Sequence, residues 1–117
     1  PDTLTARNDL AYTYTMAGRS NIAVSLFMQV LEDRTRVLGH DHPDTLAARN
    51  NLIAPFLTAQ RPGQAAELLE DLFEDCQRIL GVDHSLTTTV GENLEEARRE
   101  LAQQTGESRA EESAAQD

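Results

Sequence analysis

Four groups of residues in this 117-residue chain have types and spacings that could do chemistry. The first is a set of asparagines: Asn8, Asn50 and Asn51. Each amide carries two N–H donors and a carbonyl acceptor, the complement needed to clamp a peptide backbone of any sequence. The same amides could instead bond backbone groups of a neighbouring helix and hold it in register. The second group is His40-Asp41-His42 with His84. These are metal-ligating types, but no further ligand follows at a fixed helical spacing, so the metal signal is weak. Asp41-His42 also recurs as Asp83-His84, which fits a structural role at the start of a helix. The third is Cys76, a thiol set in an apolar stripe, where a buried cysteine is inert. The fourth is Glu92, Glu95, Glu96 and Glu100. No apolar pocket residues accompany them, which marks a solvated helix face rather than a paired acid and base. With no glycine-rich phosphate loop and no Ser/His/Asp arrangement in a recognisable context, neither catalysis nor a cofactor is expected.

The elements that position these groups follow from one period. PDTLTARNDL at residues 1–10 returns as PDTLAARNNL at residues 43–52, and 19 of the 42 aligned positions are identical. The register holds to the end of the second copy, where Leu38-Gly39 falls on Leu80-Gly81. A fixed period in this range marks a stack of similar units, none of which can bury its apolar face alone. The units span residues 1–42 and 43–84, followed by a degenerate third unit at 85–104.

Within each unit the apolar spacing is helical. Leu10, Ala11, Tyr14 and Ala17 stripe a first helix that Gly18 ends in a left-handed cap. A second helix runs from about Asn21 to Leu38, carrying Ile22, Ala23, Leu26, Phe27 and Val30. Gly39 stops it and Pro43 restarts the chain, with Asp41 or His42 as the N-cap. The third helix, about Asp44 to Ala59, contains Pro55, which predicts a kink or a local opening. The fourth runs from about Gln64 to Leu80 with Ala65, Leu68, Leu69, Leu72 and Cys76 inward. In the third unit Ser85 replaces the proline, Gly91 replaces an arginine, and Thr87-Thr88-Thr89 weakens the helix start. Val90, Leu94, Ala97 and Leu101 still form a stripe with charges behind it, the pattern of a capping helix. Residues 105–117 carry no large apolar side chain and predict a disordered or fraying acidic tail.

A net charge of −10 opposes nucleic-acid and anionic-membrane binding and favours basic partners. No apolar run reaches the length of a membrane span. All ten basic residues are arginine, a bias that resembles a GC-rich bacterial source. The single cysteine cannot form an internal disulfide, so a cytoplasmic setting is expected. The chain opens on Pro1, at the phase of Pro43 and without Met, which reads as a piece of a longer protein.

These residues together resemble a tetratricopeptide repeat. Leu10, Ala11, Tyr14, Gly18, Ala23, Phe27 and Val30 fit that family's large, small and aromatic positions, and Leu52, Phe56, Ala65, Leu69 and Leu72 fit them again. The long period and the sequences HPDTL and RNNL resemble the kinesin-light-chain type of repeat. Ile53, Pro55 and Gln60 depart from the pattern. The resemblance implies an all-α fold, an α-solenoid of antiparallel helix hairpins in a right-handed superhelix. It implies a groove, lined by the first helix of each hairpin, that binds a peptide segment of a partner protein. Carried over by position, the groove residues are Asn8, Tyr12, Thr15, Asn50, Asn51, Ala54, Asn93 and Arg99. No lysine is present, so a carboxylate clamp for a partner's C-terminus is not expected. The alternative is a structural spacer, or a homodimer formed through the exposed end of the first hairpin.

Overall fold

The computed structural model describes the backbone of residues 2–116 and the side chains of residues 6–106. Six helices follow one another: α1 (Asp2–Met16), α2 (Ser20–Leu38), α3 (Pro43–Asn51), α4 (Ile53–Thr58), α5 (Pro62–Ile79) and α6 (Ser85–Gln116). No strand occurs among the described residues. Helices α1 and α2 form one hairpin, and α3, α4 and α5 the next. The first helix of a third unit, α6, packs along α5. The result is an α-solenoid, 59 × 32 × 19 Å in extent. Its 16.2 Å radius of gyration exceeds the roughly 13 Å of a compact domain of this length.

Local chemistry accounts for each boundary. Gly18, Gly39 and Gly81 all take positive φ, at 77°, 92° and 92°, where a side chain would be strained. His42 is the N-cap of α3, and its Nδ1 accepts from the Asp44 N–H at 3.0 Å. His84 repeats the contact with the Leu86 N–H, also at 3.0 Å. Pro43 sits at the first helical position, where its missing N–H costs nothing. The disturbance expected at Pro55 is a local opening at one residue, Leu52, whose φ of −67° and ψ of −19° stay helical. Proline cannot donate to the Asn51 carbonyl, the ladder breaks at Leu52, and the helix restarts as α4.

Two apolar clusters fill the stack. Ala11, Ala23, Phe27 and Leu52 form one, and Leu46, Ile53, Ala65, Leu69, Leu72, Cys76, Val90 and Leu94 anchor the other. Phe56 packs against both and joins them. Leu52 and Leu94 are 6% and 4% exposed because each enters the unit before it. Leu10, at the same phase of the first unit, is 47% exposed. Ile22 and Leu68, expected on the inner stripe, are 42% and 40% exposed. Gly91 proves to be more than a degenerate position. A Cβ there would lie 3.0 Å from Phe73 Cε1, so the glycine admits the ring.

Polar side chains repeat with the same period. Buried Thr45 donates to the Arg34 carbonyl at 3.5 Å and buried Thr87 to the Cys76 carbonyl at 3.3 Å, tying each first helix to the preceding second helix. Arg7 pairs with Asp33 and Arg49 with Asp75, both at 2.8 Å and both 26 residues apart. The Arg49 hydrogen bond, followed by Arg78, holds the Asp75 carboxyl below its ordinary range. Arg78 also reaches Asp41 at 3.6 Å, bracing the joint between units.

The backbone of α6 runs to Gln116, beyond the Gln104 boundary expected from the sequence. Ala, Glu, Gln and Arg in that stretch are strong helix formers, and Thr105 Oγ1 bonds the Leu101 carbonyl at 2.9 Å. The side chains of residues 107–117 lie outside the described residues.

Candidate functional site

The first helices α1, α3–α4 and α6 present residues of the same phase side by side. At one phase stand Asn8, Asn50 and Glu92, and at the next Asp9, Asn51 and Asn93. The structure joins these two phases across the unit boundary. Asn51 Nδ2 donates to Asn8 Oδ1 at 3.2 Å, and Asn93 Nδ2 donates to Asn50 Oδ1 at 3.1 Å. The amides therefore bond one another, rather than the backbone of the neighbouring helix. Each such bond uses one N–H of the donor and one lone pair of the acceptor. The acceptor amide keeps both its N–H groups, and the donor keeps its second N–H and its carbonyl oxygen.

Beside this ladder lies a groove of about 270 Å³. Tyr12 stands on one wall and Asn93 and Glu96 on the other, with Asn50, Asn51 and Ala54 between them. The volume is below that of drug-sized ligand sites and suits a side chain or a short run of backbone. Ile53 and Leu57 supply the apolar part of its lining. Leu57 also lines an adjoining hollow with Glu100, Gln103 and Gln104, so the depression continues along α6.

Five of the eight residues expected in the groove line it: Tyr12, Asn50, Asn51, Ala54 and Asn93. Asn8 touches it indirectly, through its bond to Asn51. Thr15 does not belong to it. It lies one turn beyond Ala11 on the same buried face, is 8% exposed, and gives its hydroxyl to the Ala11 carbonyl at 3.0 Å. Arg99 is exposed on α6 and lines neither hollow. Ile53 and Leu57 are not among the expected groove residues: Ile53 falls on the inner face of its helix, and nothing in the pattern singles out Leu57. Their position just after the α3–α4 break turns part of each toward the groove.

Glu92 and Glu95 line a separate hollow with Phe73, Val82 and Leu94, apolar neighbours the sequence did not lead one to expect, while the histidines and Cys76 serve the scaffold. His42 and His84 cap helices, and His40 bonds its neighbour Asp41 at 3.1 Å. Cys76 is fully buried, and burial pushes its thiol above the ordinary range, away from the reactive thiolate. No helix among the described residues is long and apolar enough to cross a membrane.

Comparison with known proteins agrees with this geometry. A family profile described as tetratricopeptide repeat matches residues 3–44. No curated protein sequence matches the chain. Among solved structures, the chain is similar to one from Podosopora anserina described as kinesin light chain nearly identical TPR-like repeats. The TM-score is 0.76 at 26% identity, covering 98% of this chain and 55% of that one. The chain thus spans about half the length of that structure. Tetratricopeptide repeats are in general non-catalytic protein-interaction modules.

Proposed function

We propose that this stack of tetratricopeptide-type hairpins binds an extended peptide segment of a partner protein in the groove between Tyr12 and Glu96. One observation carries the reading: amides from successive units converge on one hollow while keeping donors and acceptors unused by the fold. A peptide laid across the first helices presents backbone N–H and C=O groups to that set. Ala54, small and exposed at the centre, leaves room for it.

The test fills that room. A peptide selected from a displayed library of random dodecapeptides is measured against the chain and its Ala54→Trp variant. The indole fills the hollow from an exposed position and lies over Ile53 and Leu57 without displacing them, so affinity falls by about tenfold or more while the melting temperature changes little. Unaltered affinity places binding elsewhere. Asn50→Ala then apportions the ladder. A loss of affinity with little loss of stability assigns Asn50 to the ligand, and the reverse assigns it to packing.

A second reading rests on Leu10, which is 47% exposed where its counterparts are buried. On this reading the exposed face of the first hairpin pairs with a second copy of the chain. Sedimentation at increasing concentration then shows a dimer that Leu10→Glu dissociates. A monomer at every concentration rules the pairing out.

A further inference from the structure

We infer that the groove selects a basic side chain, lysine or arginine, at one position of the bound peptide. This rests on the groove reading above and adds to it which residue the pocket reads. Tyr12, Ala54 and Glu96 occupy one phase of the period on three successive first helices, and all three line the same hollow. The core uses none of them: Tyr12, Ala54 and Glu96 are exposed. Across the hollow the phase thus reads aromatic ring, gap, carboxylate.

That order suits one kind of side chain. A long alkyl stem crosses the small Ala54 and lies against Ile53 and Leu57, and its charged end comes between the Tyr12 ring and the Glu96 carboxylate. An aromatic face attracts a cation and a carboxylate pairs with it, so both walls favour the same charge. Glu96 makes no ion pair among the described residues, whereas Arg98, two residues on, is turned the other way toward Glu70 at 3.4 Å. Glu96 is the one ionised side chain lining this hollow, and Glu100, one turn on, is the one lining the next. Arg99 lines neither, so no cation competes within the groove. The chain's net charge of −10 adds a field of the same sign. An acidic side chain in this position would meet Glu96 as a like charge.

Random dodecapeptides are selected on the full chain and, in parallel, on its Glu96→Lys variant. The full chain is expected to enrich peptides carrying Lys or Arg at one fixed position. The variant is expected to lose that preference, or turn it acidic, while keeping the other positions. A synthesised peptide from the first selection should bind about tenfold more weakly to Glu96→Lys, and several-fold more weakly to Tyr12→Ala. Both substitutions are at exposed positions, so helicity by circular dichroism should not change. Enriched peptides with no basic position, or a basic preference that survives Glu96→Lys, overturn this inference. If such peptides are still displaced by Ala54→Trp, the groove reading stands without it. Peptides indifferent to Ala54→Trp overturn the groove reading instead. A selection that enriches nothing counts against both.

Discussion

Leu52→Ala will cost far more stability than Leu10→Ala, although the two leucines stand at the same phase of the repeat. Leu52 is 6% exposed and packs with Ala11, Ala23 and Phe27 of the preceding hairpin. Truncation removes its apolar transfer energy and leaves a cavity that the two alanines cannot close, a loss of about 2–4 kcal/mol. Leu10 is 47% exposed and lies outside both apolar clusters, so its truncation should cost less than about 1 kcal/mol. Paired urea melts of the two variants measure the difference. Equal losses would mean that stability resides inside the hairpins rather than between them, against the stacked-unit account.

The second large effect concerns the two inter-helix turns, which have the same geometry and different residues. Arg19 N–H bonds the Tyr14 carbonyl and Arg61 N–H the Phe56 carbonyl, both at 2.9 Å. The residue before each arginine takes positive φ, at 77° in Gly18 and 59° in Gln60. Gly18→Val should destabilise by about 1–2 kcal/mol, since a β-branched residue is disfavoured in that conformation. A Cβ at Gly18 meets nothing within 4 Å, so the loss is one of backbone strain and not of crowding. Gln60→Gly should act in the opposite sense and stabilise by about 0.5–1 kcal/mol, once the greater freedom of glycine in the unfolded chain is deducted. Thermal melts then move apart by several degrees, the glycine variant up and the valine variant down. A Gly18→Val protein that melts with the parent would remove strain from the account of both turns.

The same two sites mark what could be read from the sequence alone. The period gave the hairpins, and Gly18, Gly39 and Gly81 gave their ends, because a left-handed cap needs a particular residue type at a particular place. Pro55 announced the break for a similar reason: its ring and missing N–H act locally, whatever surrounds them. The groove was legible as far as phase decides which face a residue takes, which placed Tyr12, Asn50, Asn51, Ala54 and Asn93. Thr15 lies away from that hollow: one turn separates it from Ala11, and the backbone carbonyl satisfies its hydroxyl on the buried face. Leu10 differs for another reason: burial at its phase comes from contact with another unit, as for Leu52 and Leu94, and no pattern within a unit encodes that contact. The Arg7–Asp33 and Arg49–Asp75 pairs escaped notice because opposite charges 26 residues apart give no local signal until the hairpin closes.

The staggered amide bonds bear on how such a chain can change in length. Asn51 to Asn8 and Asn93 to Asn50 each span 43 residues, one unit plus a single step. A genetic event that copies or deletes the unit at residues 43–84 therefore hands each newly adjacent pair an asparagine donor and an asparagine acceptor, as before. Tyr12, Ala54 and Glu96 stand outside that bonding and outside the core, so copies can diverge there at little cost to folding. Such a gene can add or lose units by slippage and change what it recognises afterwards, one surface residue at a time.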